Sequence, residues 1–116
     1  MSQAPAFVRN LPDAAELAAL EASAAAAARL MKLMASEQRL IILCRLGEAG
    51  ECSVGDLAQH VGLAQSAASQ HLAKLRAEGV VGTRRDGQTI YYRLIDPAAA
   101  RVIDTLCDIY RGGKKG

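Results

Sequence analysis

The chain has 116 residues, of which 51% are hydrophobic and only 3% aromatic, and its formal net charge is +2. That length suits one domain with a modest aliphatic core, excludes two ordinary domains, and favours completion of the core by a second subunit. The charge is too small to argue for a nucleic-acid partner by itself, so the placement of the basic residues has to carry that argument.

No run approaches the roughly 18–20 apolar residues of a membrane span. The first residues, MSQAPAFVRNLPDAAEL, lack the basic region and apolar core of a signal peptide, so a cytoplasmic protein with no membrane partner is expected. Cys44, Cys52 and Cys107 are odd in number and widely spaced, unlike a secreted disulfide framework. Residues 1–12 read as a flexible arm, 13–111 as the folded domain and 112–116 (GGKKG) as a flexible tail.

Asp13 suits a helix N-cap, with Glu16 completing a capping box, and a long first helix is expected to Met34. Leu17, Leu20, Ala24, Ala27, Leu30, Met31 and Met34 keep helical spacing and mark a buried face. Ser36 starts a second helix whose inward residues are Leu40, Ile41, Leu43, Cys44 and Leu46. After a Gly47–Gly50 turn, Ser53 caps a short third helix, with Asp56 in its first turn, Leu57 and Val61 inward and Gly62 as its stop. Gln65 to Glu78 forms the next helix, with Ala68, Leu72 and Leu75 inward and Gly79 ending it.

Two β-rich runs, from Val80 to Arg85 and from Thr89 to Leu94, flank Asp86-Gly87, a dipeptide suited to a tight hairpin because both residues tolerate positive φ. Asp96 and Pro97 open a last helix to about Tyr110, with a stripe of Ala99, Val102, Ile103, Leu106 and Tyr110. The expected fold is mainly α with a β-hairpin wing: three helices, a recognition helix, two strands and a closing helix.

A helix fits the major groove, where short polar side chains reach base edges. On the fourth helix Gln65, Ser66, Ser69, Gln70, Ala73 and Lys74 face outward. Glutamine pairs with adenine, serine with base or phosphate, and Lys74 suits a phosphate. His71 lies between the two faces and reads as a DNA-backbone contact or a satisfied neighbour, not a metal ligand. Arg84, Arg85, Gln88 and Arg93 are expected to cluster near the wing tip, where arginines on phosphates or a narrow minor groove add salt-sensitive affinity. No Cys-x-x-Cys, Gly-rich phosphate loop or carboxylate–histidine constellation suggests an enzyme, and no cofactor is expected. A redox enzyme and a pure protein-interaction module are the readings of another class. The basic wing speaks against the second.

From about Leu30 to Tyr110 the chain resembles the ArsR/SmtB family of bacterial winged-helix repressors, through MASEQRLIILCRL, SQHLAKLRAEGVV and RRDGQTIYYRL. The resemblance implies a homodimer paired through the first and last helices. It also implies a near-palindromic double-stranded operator, bound in the apo or reduced state and released by an inducer. Two-fold symmetry then presents two recognition helices to successive major grooves, about one helical turn apart.

The family's metal subtypes use an Asp-x-His on the last helix or a Cys-x-Cys on the short third helix. Here the last helix has Asp96, Asp104 and Asp108 without histidine, and the other stretch reads Ser53-Val54-Gly55-Asp56-Leu57 with Cys52 alone ahead of it. His60 and His71 supply no cluster, so no metal site is expected. ILCRL and QTIYYRLIDPAAARVIDTL look closest to the persulfide- and redox-sensing, BigR/SqrR-like branch. That branch implies one redox-sensing cysteine on the second helix, matched by Cys44, and one on the last, for which Cys107 is the candidate. The branch's usual position falls at Arg111, one helical turn or roughly 6 Å further on. A direct disulfide needs Cα atoms within about 7 Å, and a bridge of extra sulfur atoms tolerates more. Cys52 is open as an alternative partner or third thiol. The implied function is a repressor released by persulfidation or oxidation, with reactive sulfur species or an oxidant as inducer. The alternatives are an arsenite or other soft-metal sensor using three converging thiolates, and a regulator with no inducer.

Overall fold

Short oxygen-bearing side chains placed just before apolar periods set the helix starts of this chain. The computed structural model describes residues 12–110. Residues 1–11 of the expected arm, the expected tail and Arg111 lie outside the described residues. The elements run α1 (Ala14–Ala22), α2 (Ala24–Met34), α3 (Glu37–Ala49), β1 (Cys52–Ser53), α4 (Val54–Val61), α5 (Gln65–Ala77), β2 (Val81–Asp86), β3 (Thr89–Leu94) and α6 (Pro97–Tyr110). The fold is mainly helical with a β-hairpin wing. Among the described residues no helix is long and apolar enough to cross a membrane.

The caps form at the expected residues. Asp13 Oδ1 accepts from the Glu16 N–H at 2.9 Å, and Glu16 Oε1 accepts from the Asp13 N–H at 3.0 Å. Ser36 and Ser53 accept from the N–H groups of Arg39 and Asp56 at 3.3 and 3.2 Å, and Asp96 from that of Ala98 at 3.2 Å.

By contact density the chain forms two units, residues 1–32 and 33–116. In the first, the single long helix expected from Asp13 to Met34 is broken at Ser23. The Ser23 N–H is shared between the carbonyls of Ala19 and Leu20, at 3.2 and 3.0 Å, and the residue's ψ is 11°. The i–3 bond tightens the last turn of α1 and ends its regular ladder. Of the face expected to be buried, Leu17, Leu20 and Met31 are 46%, 52% and 69% exposed and Ala24 is exposed too, Ala27 and Leu30 are half-buried, and Met34 is buried.

The second unit holds the core. Ile42, Leu43 and Leu46 of α3, Leu57 of α4, Leu72 and Leu75 of α5, and Val80 and Val81 at the start of the wing are fully buried. Ala99 and Ile103 of α6 join them. On α3 the inward stripe is displaced from the expected one: Ile41 is exposed and Ile42 buried. Four consecutive apolar residues, Leu40 to Leu43, give a 3.6-residue period no way to choose between them. Tyr110, expected on the α6 stripe, is exposed at the end of the helix.

Gly62, at φ 79° and ψ 34°, turns the chain between α4 and α5, and both its N–H and that of Leu63 reach the Ala58 carbonyl at 2.9 Å. Glycine takes this left-handed conformation without steric cost. The wing strands pair in antiparallel register from Val81↔Leu94 to Asp86↔Thr89. The hairpin loop is therefore Gly87-Gln88, not Asp86-Gly87; Asp86 closes the strand, and only Gly87 has positive φ. A third strand was not expected: β1 pairs with the other edge of β3, as Cys52↔Tyr92 and Ser53↔Tyr91, giving the sheet order β1-β3-β2.

Candidate nucleic-acid interface and thiol pair

The helix α5 is divided along its length. Ala68, Leu72 and Leu75 have no exposed surface and fasten it to the core, while Gln65, Ser66, Ser69, Gln70, Ala73 and Lys74 lie in solvent. His71 is half-buried between the two sets, as its sequence position implied. None of these polar side chains has a hydrogen bond or ion pair among the described residues. The Gln65 amide is the most constrained: a Cβ added at Gly55 would lie 3.2 Å from its Nε2, so it rests over the first turn of α4. A glycine there lets α4 and α5 approach closely enough for one amide to bridge them.

The wing distributes its arginines differently from the sequence expectation. Arg84 and Arg85 are consecutive strand residues, so they project to opposite faces, Arg84 across from Tyr91 and Arg85 across from Ile90. Gln88 sits in the loop. Arg93 pairs with Gly82 at the far end of the hairpin and is not part of the tip, because four pairs separate it from the loop. Arg84 is held on two sides. Its Nε donates to both carboxylate oxygens of Glu51, at 3.0 and 2.8 Å, and its Cζ lies 4.7 Å from the centre of the Tyr91 ring. The hydrogen bond from Arg84, helped by the positive charges of Arg84 and Arg93, holds the Glu51 carboxyl below its ordinary range. Arg84 is correspondingly harder to deprotonate, first because of the same bond.

The second constellation lies where α3 meets α6. Cys44 and Cys107 are both half-buried and both free. They line a cleft of about 330 Å³ together with Gly47, Leu94, Ala100 and Ile103. A neighbouring opening is lined by the same two cysteines with Leu40, Ile41 and His60. Burial raises the Cys44 thiol above its ordinary value, and two further causes come from Cys107: its charge and a hydrogen bond with it. The two cysteines are thus neighbours across the helix pair, although Cys107 precedes the position that the resemblance favoured. Cys52 is elsewhere, buried in β1 and paired with Tyr92. Among the described residues no three His, Cys, Asp or Glu side chains converge as a metal site would require.

The profile of the arsR family of bacterial regulatory proteins matches residues 36–83, the span of α3, α4, α5 and the start of the wing. The transcriptional regulator YgaV of Escherichia coli K12 is 45% identical over 95 residues, covering 82% of this chain and 96% of that protein. The chain belongs to the ArsR family. Among solved structures, reduced HlyU from Vibrio cholerae superposes with a TM-score of 0.74 at 45% identity, covering 78% of this chain and 95% of that one. The repressor BigR from Xylella fastidiosa gives 0.74 at 40% identity, covering 78% and 92%.

As an ArsR-family protein the chain is a DNA-binding transcriptional regulator, not an enzyme. Its fold is that of the winged-helix regulators it superposes on. Sequence reasoning overlooked three residues beside these sites. Glu51 was passed over because the two-residue strand that follows it leaves no periodic signal, and Tyr91 was read only as a strand residue, although the β2–β3 register sets it opposite Arg84. His60 was dismissed for lack of a metal cluster, and it borders the thiol pair instead.

Proposed function

We propose that this protein is a dimeric repressor that holds double-stranded operator DNA in its reduced form and releases it when Cys44 and Cys107 become covalently joined. Gln65, Ser66, Ser69, Gln70 and Lys74 enter the major groove, His71 meets the sugar–phosphate edge, and Arg84, Arg85 and Gln88 grip the flanking backbone. A second copy completes the molecule through α1 and α6, in keeping with the apolar Leu17, Leu20, Ile109 and Tyr110 that this chain leaves in solvent. Two-fold symmetry then sets the two α5 helices at a fixed half-site spacing.

The observation that carries the inducer reading is that Cys44 and Cys107, both free and half-buried, line one cleft where α3 meets α6. In the proposed sequence Cys107 attacks first. Its thiolate takes the outer sulfur of a persulfide, R–S–SH, and releases R–S⁻. Cys44, deprotonated as it reacts, attacks the Sγ of the Cys107 persulfide, breaking its bond to the outer sulfur, forming the Cys44–Cys107 disulfide and expelling HS⁻. The two thiols give up two protons and two electrons, and the electrons leave on the two sulfur anions. The link ties α3 to α6 and changes the spacing that DNA requires.

The test is an operator-binding assay on reduced and persulfide-treated protein, using promoter DNA from the gene's own neighbourhood, with mass spectrometry of the treated sample. Loss of binding together with a Cys44–Cys107 bridge is expected. Equal affinity in both states, or full response in the Cys44→Ser Cys107→Ser double variant, overturns the reading. Bound arsenic after arsenite treatment, with release from DNA, would assign the inducer to the soft-metal class instead.

A further inference from the structure

Two carboxylates stand among the wing's cations, Asp86 at the end of β2 and Glu51 just before β1, and Glu51 is the one hydrogen-bonded to Arg84. Continuing the β1–β3 register by one residue beyond Cys52↔Tyr92 sets Glu51 against Arg93, and the Arg84 side chain reaches the same carboxylate from β2. Two arginines and one glutamate thus share one face of the sheet. The Arg84–Glu51 pair is not sealed off: the side chains are 47% and 30% exposed. Both bonds use the Nε of Arg84, the inner edge of the guanidinium, while its N–H donors number five in all. Tyr91 lies against the same group, its ring centre 4.7 Å from Cζ, and neither bond to Glu51 engages an Nη. Exposed pairs of this kind contribute little to folding, so the glutamate is not explained by stability.

We propose that Glu51 is an internal competitor for the DNA phosphate that Arg84 would bind, a positioning residue that sets how many phosphates the wing neutralises. It keeps Arg84 in one orientation and cancels one of the two nearby positive charges, lowering the electrostatic share of DNA affinity. That share is independent of sequence and falls with salt in proportion to the phosphates neutralised. Glu51 therefore restrains binding to any duplex and leaves base reading by α5 untouched. The inference rests on the wing meeting DNA as described above.

The test is fluorescence-anisotropy titration of the full-length reduced protein against a random-sequence duplex over a range of salt concentrations. Glu51→Gln keeps the size and the hydrogen-bond acceptor and removes the charge. It is expected to bind several-fold more tightly at low salt, with a log affinity against log salt slope steeper by about 0.9. The gain should shrink when Arg84→Ala is added. An unchanged or shallower slope, or a gain that survives Arg84→Ala in full, overturns the proposal. Arg84→Ala in the native background separates the two failures. If that variant leaves the slope unchanged, the wing does not meet DNA. If it flattens the slope while Glu51→Gln is silent, only the role of Glu51 falls.

Discussion

Along α5 buried and exposed residues form separate rows, with Leu72 and Leu75 sealed, Ser69, Gln70 and Lys74 in solvent and only Ala67 and His71 half-buried between them, whereas the cysteines of the α3–α6 seam belong to neither row. Cys44 and Cys107 are each half-covered and line one open cleft. On α5 the residues that hold the fold and the residues proposed to meet DNA are different sets, so either can change without the other. At the seam one set of atoms does both jobs: the thiols are packing atoms as well as reactive ones. A covalent change there is felt by the packing of two helices at once, which is what a switch requires and what a reading surface must avoid.

The largest effect expected from this contrast is on stability. Leu72→Ala removes a fully buried side chain and should cost about 2–5 kcal/mol in urea unfolding. Ser69→Ala, on the other face of the same helix, should stay within about 0.5 kcal/mol. Similar costs for the two would break the division of α5.

A smaller effect is expected at the seam. The Cys44 thiol is held above its ordinary value of 9.0, first by burial and then by Cys107. Its alkylation, followed by mass spectrometry across alkaline pH, should reach half-maximal rate above that value. Cys107→Ser should lower the midpoint only in part, since burial remains. The corresponding stability is fully present below the ordinary value and is lost as pH rises through the raised one, because the unfolded thiol gives up its proton first. Cys44→Ser should lack that alkaline loss. A midpoint at or below 9.0 would remove the contrast between a covered seam and an open reader.

The smallest effect tests how finely the reader is set. Gly55→Ala places a methyl 3.2 Å from Gln65 Nε2, a flexible end that can swing away. The helix gains up to about 1 kcal/mol from the substitution, while the displaced amide weakens operator binding. Higher melting temperature with lower affinity is the expected pair of results. Unchanged affinity would take Gln65 out of the reading surface.

The reader was legible from the sequence because each of its parts carries a local signal. Ser53 caps, Gly62 turns and Gly79 stops, and the period of Ala68, Leu72 and Leu75 fixes which side of α5 is left outside. The wing strands were legible from β-branched and aromatic residues around a glycine, but the arginine pair was misjudged as a cluster because consecutive strand residues alternate in direction. What could not be read was long-range or too short to have a period. The break falls at Ser23, the one polar residue between Glu21 and Arg29, in an alanine-rich run that has no glycine or proline to mark a helix end. The Arg84–Glu51 pair joins residues 33 apart in sequence. The Cys44–Cys107 interaction depends on how α6 rests on α3, which helical spacing leaves free by a turn in either direction.

The two-residue strand β1 has a mechanical consequence. It leaves α3 through Gly50 and Glu51 and is laced by main-chain bonds to β3, the inner strand of the wing. The helix that carries Cys44 and the hairpin that carries Arg84 are therefore joined by backbone as well as by side-chain packing. A rotation of the wing that leaves the end of α3 in place must first unlace Cys52 from Tyr92, and a pull on α3 is delivered along the same seam in the opposite direction.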